Sequence, residues 1–111
     1  MASNEFEKGV KFSFNNSISY NDKAVVSKHI LKKENGNISL FAFDKGEGLS
    51  EHTTPFDAVV YIVDGKADII INGVSNILEA NETIIMPANI PHALKAVEKF
   101  KMVLTMIKQK N

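Results

Sequence analysis

Six consecutive apolar residues, Ala58-Val-Val-Tyr-Ile-Val63, constrain the fold of this chain more than any other feature. A strand with one wet face alternates apolar and polar side chains. This run is apolar at both parities, so both of its faces must be covered. One face is expected to line a barrel interior. The other can be covered by a second sheet, by the N-terminal segment or by a partner subunit. A homodimer is the favoured expectation.

The rest of the chain reads in the same way. Apolar, β-branched runs occur at residues 25–32, 38–44, 58–64, 66–71, 74–78, 83–86, 93–96 and 101–108, and no ten-residue helical stripe appears among them. Asn72-Gly73 lies between Ile71 and Val74, the pairing that most easily takes the positive backbone angles of a type I′ hairpin turn. Asp64-Gly65 and Asn35-Gly36 carry the same signal. Short strands with turns at this spacing predict an all-β, antiparallel sandwich or barrel rather than parallel βαβ units. Residues 1–23 are polar and irregular; Val10, Phe12, Phe14 and Ile18 fit either a short edge strand or one helical turn. The expected organisation is a 1–23 segment packing on the barrel or on a partner subunit, followed by a barrel over 24–111.

Composition then removes whole classes of chemistry. The chain has no cysteine, so disulfides, thiol nucleophiles and cysteine metal clusters are excluded, and any metal must be held by nitrogen, oxygen or methionine ligands. Thirteen basic residues, all lysine, balance thirteen acidic ones and are scattered along the chain. Neither a phosphate-binding footprint nor the bidentate fork of arginine is present, so no nucleic-acid partner is expected. No apolar run approaches the ~20 residues of a membrane-spanning helix, and the start Met1-Ala-Ser-Asn-Glu lacks a signal peptide's character. No membrane partner and a cytoplasmic location are the expectations. No serine sits in a Gly-x-Ser-x-Gly elbow, and Gly46-Glu-Gly48 is followed by Leu-Ser-Glu instead of a phosphate-loop helix start.

Two turn-rich stretches remain, one leading to His52 and one to His92, forty positions apart. With these residues the chain resembles the cupin superfamily, in its small single-domain, conserved-barrel form. Gly46, His52 and Gly65 fall in register with the first cupin motif, and Pro87 and His92 with the second. Asn81 and Asn89 stand where the family has glycine, and asparagine is the next best residue for a left-handed backbone. The resemblance covers residues 38–107 and implies a cupin β-barrel, a double-stranded β-helix of the jelly-roll kind. It also implies where a metal would sit. In metal-binding cupins the two motif-one histidines, the motif-one glutamate and the motif-two histidine are the ligands. Here those positions hold His52, Thr54, Ala58 and His92, so the only carboxylate and one imidazole are gone.

The metal candidates are therefore His52 and His92. They anchor at most a weak divalent site for zinc, iron, nickel, manganese or copper, completed by water or substrate. Glu47, Glu51, Asp57 and His29 are weaker candidates, since strand alternation turns residues 51 and 57 away from 52 and 58. Met86, Met102 and Met106 read either as soft ligands to copper or as core filler. The expected pocket lining is Thr54, Phe56, Ala58, Val60 and Met86, with Ala58 leaving volume where a glutamate would have been. Phe56 or Met86 folding inward would instead fill that space. The leading function is a module binding a small organic molecule, with no assigned catalytic residue. The alternatives are a metal-dependent enzyme resembling the family's dioxygenases and isomerases, and a structural or sensory partner.

Overall fold

The structure, a computed structural model, describes residues 5–108; the expected ends of the N-terminal segment (1–4) and of the barrel (109–111) lie outside them. Among the described residues seven strands follow a single 3-10 turn, η1 (Asn15–Ser17): β1 (Val25–Lys33), β2 (Gly36–Phe43), β3 (Gly48–His52), β4 (Asp57–Ile71), β5 (Val74–Glu79), β6 (Thr83–Met86) and β7 (His92–Ile107). Every pairing is antiparallel, in the order β1-β2-β7-β4-β5, with β3 added on β7 and β6 on β4. This is the all-β antiparallel barrel that the sequence predicts. Among the described residues, no helix is long and apolar enough to cross a membrane.

The long strands β4 and β7 correct the expected strand list. Residues 58–64 and 66–71 are one strand, and so are 93–96 and 101–108 with the residues between them. Asp64-Gly65 does not turn the chain back. Gly65 has φ +87° inside β4, and the register against β7 slips between Ile62 and Asp64 and again between Gly65 and Ala67. A positive-φ glycine serves a bulge as well as a hairpin turn, and here the pairing partner continues on both sides, so the strand bends instead of reversing. A side chain at Gly65 would collide with the Lys99 carbonyl of β7. Beyond the bend β4 pairs with the first half of β7 and with β5. Before it, β4 pairs with the second half of β7 and with β6. All seven strands form one sheet, and because the two halves of each long strand take different neighbours the sheet folds over into two layers, the device by which sandwiches turn corners.

The other turn signals divide. Asn72 (φ 50°) and Gly73 (φ 78°) form the expected left-handed pair between the register partners Ile71 and Val74. Gly36 instead lies within β2 opposite Ile107, where a Cβ would meet the Met106 carbonyl oxygen at 2.7 Å. Glycine is needed there for close approach, and Glu34 and Asn35 make the turn. β3 has no counterpart in the predicted strands, because Gly-Leu-Ser-Glu-His carries neither β-branched residues nor apolar alternation and forms through pairing with β7.

Two apolar clusters explain the double-sided run in β4. Ala58, Val60 and Ile62 face the barrel core with Ile69, Leu94 and the stacked pair Phe43–Phe100, whose ring centroids are 4.4 Å apart. Tyr61 and Val63 face the opposite way, into a second cluster built on Ile18, Ile30, Leu40, Ala42 and Val103. The N-terminal segment supplies Phe6, Ile18 and Tyr20 to that cluster, so the outer face is covered by the chain itself. Polar contacts fix the segment in place. Phe6 N donates to Ile30 O (3.1 Å), Tyr20 Oη donates to Asp64 Oδ2 (2.6 Å), and the buried Lys101 Nζ donates to the Asn15 carbonyl (2.7 Å) and side-chain oxygen (3.0 Å). Burial, followed by the hydrogen bond and charge of Asp64, pushes the Tyr20 phenol well above its ordinary range. Of the two readings open for this segment, one turn of helix at Asn15–Ser17 is present, and no strand is found among its described residues.

Candidate functional site

The site is assembled by three connections clipped together at one end of the barrel. Asn89, with φ 63°, donates its N–H to Thr54 O (2.8 Å), Asp57 Oδ1 accepts from Ala88 N (2.8 Å), and Asn72 N donates to Pro91 O (2.8 Å). The asparagines at 81 and 89 both adopt left-handed backbone, as the family's glycines would. The result sets His52, at the end of β3, directly opposite His92, at the start of β7. Their rings meet edge to face at 4.4 Å, with the two Nε2 atoms 3.2 Å apart.

The outer ring nitrogens define the protonation pattern. His52 Nδ1 lies 2.7 Å from Ser50 O and His92 Nδ1 lies 3.3 Å from Ile90 O. A carbonyl oxygen only accepts, so these partners place a hydrogen on each Nδ1 and a lone pair on each Nε2 of the neutral rings. Two lone pairs facing at this distance repel unless a proton or another cation lies between them. Burial and then the neighbouring His52 charge hold the His92 imidazole below its ordinary value, against the raising effect of the Ile90 carbonyl. His92 is 3% exposed whereas His52 lies open at the mouth.

Beneath the pair is a cavity of about 270 Å³. Its polar end is His52, His92, Thr53 and Thr54, its apolar wall is Leu49, Leu94 and Leu104, and Ala58, Met86, Met102 and Met106 complete it. Met86 therefore lines the space instead of closing it. Two expected lining residues lie elsewhere: Val60 is fully buried in the core, and the half-buried Phe56 does not border the cavity. Val60 shares the inward face of Ala58 but sits two positions deeper, where side chains from the opposite layer fill the barrel. Sequence reading missed the three leucines; Leu94 follows His92 at strand spacing, which is the one signal available for it.

The four-ligand metal set does not fit these residues. Ala58 has no donor atom, and the Thr54 hydroxyl accepts from Phe56 N (3.4 Å). Among the described residues no group of three or more His, Asp or Glu is placed to hold a metal ion. His29 is on β1, with Nδ1 3.2 Å from Ser39 Oγ, and is not part of the cavity.

A jelly-roll barrel closed by two continuous bent strands, with paired histidines at its mouth, defines the double-stranded β-helix class. The Cupin domain family matches residues 39–108, and the chain belongs to that family. A conserved protein of unknown function from Streptococcus pyogenes is 32% identical over 97% of this chain and 95% of its own, with a TM-score of 0.91. A Cupin 2 conserved barrel domain protein from Leptotrichia buccalis is 36% identical, covering 87% of this chain and 47% of that one, with a TM-score of 0.85. A cupin superfamily protein from Desulfitobacterium hafniense shares the fold at 24% identity and a TM-score of 0.87, over 96% of this chain and 97% of that one. Among curated proteins there is no match.

Proposed function

We propose that this cupin is a binding module for a small organic molecule, taken into the barrel mouth with its apolar body against Leu49, Leu94 and Leu104 and its polar head on His52 and His92. The observation that carries this reading is the cavity of about 270 Å³ left open where Ala58 stands. That volume lies just below the roughly 300–1,000 Å³ of drug-sized sites, so the ligand is smaller than a drug. The paired Nε2 atoms select the head group. As neutral rings they accept from a hydroxyl; once they share a proton they attract a carboxylate or phenolate. The alternative, a divalent-metal enzyme anchored on the same two histidines, has no third His, Asp or Glu beside them among the described residues, and no reaction step is assigned.

The test is a thermal-shift screen of small hydroxylated and carboxylated compounds, since a ligand preferring the folded state raises the melting temperature. An Ala58→Leu variant, which fills the cavity with hydrocarbon, is expected to keep the fold and lose every shift. Shifts that persist in that variant, or their complete absence in the parent, would sink the proposal.

A further inference from the structure

The lost carboxylate has neighbours that change what the site prefers. Ala58 pairs in register with Met86 of β6 on one side and with Met106 of β7 on the other, and all three residues border the cavity. Directly opposed residues in an antiparallel sheet hold their Cβ atoms about 4.5–5.5 Å apart, so the two thioethers flank the position where metal-binding cupins carry glutamate. Of the four methionines in the chain, all but Met1 line this one cavity. Met86 and Met102 are buried members of the core cluster and Met106 is half-buried against it, and all three keep a side on the cavity. Besides filling the core, the three side chains border the cavity that also holds both imidazoles.

The histidines are already arranged as ligands. Each Nδ1 faces a backbone carbonyl, the outer contact that orients a metal-binding imidazole and leaves Nε2 free. Two Nε2 atoms 3.2 Å apart span an N–metal–N angle of about 100° for bonds of about 2.0–2.1 Å. Every lining group is neutral when the imidazoles are. A divalent ion would keep its whole charge among leucines and methionines, and since the charging energy rises with the square of the charge, that costs roughly four times what a monovalent ion does. Imidazole nitrogen with thioether sulfur and no carboxylate is the donor set of a soft cation.

We infer that the cavity is a Cu(I) site, with His52 and His92 as nitrogen ligands and the thioethers of Met86 and Met106 as sulfur ligands. The inference rests on the same cavity as the proposed ligand site: with the ion held on His52 and His92, an organic ligand's polar head meets the ion instead of the bare rings, and its apolar body keeps the leucine wall.

The experiment is an anaerobic competition of the untagged full-length chain against the chromophoric chelator bicinchoninate, using Cu(I) alone, beside parallel titrations with Zn(II) and Mn(II). The parent is expected to withdraw one Cu(I) per chain and to hold Zn(II) and Mn(II) far more weakly. Met86→Leu/Met106→Leu, close to volume-conserving, is expected to retain its melting temperature within a few degrees. It should lose Cu(I) affinity by at least the roughly 10–100-fold that follows removal of a mere outer partner of a metal site. Should the double variant fail to fold, the single Met106→Leu change at the half-buried position makes the same comparison. X-ray absorption of the loaded parent is expected to show sulfur as well as nitrogen scatterers. Unchanged Cu(I) affinity in the leucine variants, or Zn(II) held as tightly as Cu(I), overturns the inference. Absent Cu(I) binding with organic-ligand shifts intact overturns it alone; absence of both also removes the proposed function.

Discussion

Replacing Ala58 by glutamate returns the missing carboxylate to the barrel and tests whether its loss defines the site. Ala58 is fully buried, and the space beside it is the cavity of about 270 Å³, so the longer side chain fits without forcing the core apart. The cost is electrostatic. A carboxyl held there without a cation stays protonated while the unfolded chain ionises near pH 4.3, so the folded pKa is raised. The unfolded chain then binds fewer protons and stability falls as pH rises. At about 1.36 kcal/mol per unit, the penalty is at most about 4 kcal/mol at pH 7 and about 1 kcal/mol at pH 5. At roughly 4–8 °C per kcal/mol, the full penalty is a fall of some tens of degrees in melting temperature at neutral pH. A divalent ion at a hundredfold excess over its dissociation constant restores about 2.7 kcal/mol. The assay is thermal denaturation of Ala58→Glu and parent across pH 5–8, with and without Mn(II) or Zn(II). A penalty independent of pH, or a variant that no divalent ion rescues while the parent responds equally, would refute the reasoning.

Gly65→Ala is expected to cost about 2–5 kcal/mol, combining a left-handed backbone penalty with overpacking, because its Cβ would meet the Lys99 carbonyl and lie 2.7 Å from Phe100 Cα. Gly46→Ala has φ +85° but nothing within 4 Å, so it should lose only the roughly 1–2 kcal/mol backbone share; equal losses in urea denaturation would contradict the bulge argument. The lowered His92 pKa makes the unfolded chain take up its proton first as pH falls through 6.5. Stability should therefore decline on acidification below that point, and His92→Gln should flatten the slope of melting temperature between pH 7 and pH 5.

What the sequence shows about this barrel depends on the range of the interaction concerned. Asn72-Gly73 is legible because a type I′ turn is decided by two residues. Asp64-Gly65 is not, because bulge and turn ask the same backbone of glycine and only the distant strand β7 decides between them. The polar strand β3 has no local signature for the same reason: its partner Leu94 is more than forty positions away. At the site, motif spacing locates His52, Ala58 and His92, but not the approach of the two Nε2 atoms, which depends on the clip between Thr54 and Asn89. The methionines at 86 and 106 are visible in the sequence as apolar strand residues. Their common neighbour Ala58 becomes visible only with the register.

The continuity of β4 and β7 through both layers of the folded-over sheet has a consequence for how the molecule opens. In a sandwich joined only by loops, one layer can lose its hydrogen bonds while the other stays closed. Here the same two backbones supply the centre of both layers, so unzipping either one strips the other of its neighbours. Core amides such as those of Ile62, Ile69, Leu94 and Met102 should exchange with solvent deuterium together, at the free energy of global unfolding, whereas the 53–56 connection exchanges early and alone. The clipped mouth thus rests on a frame that has a single melting event.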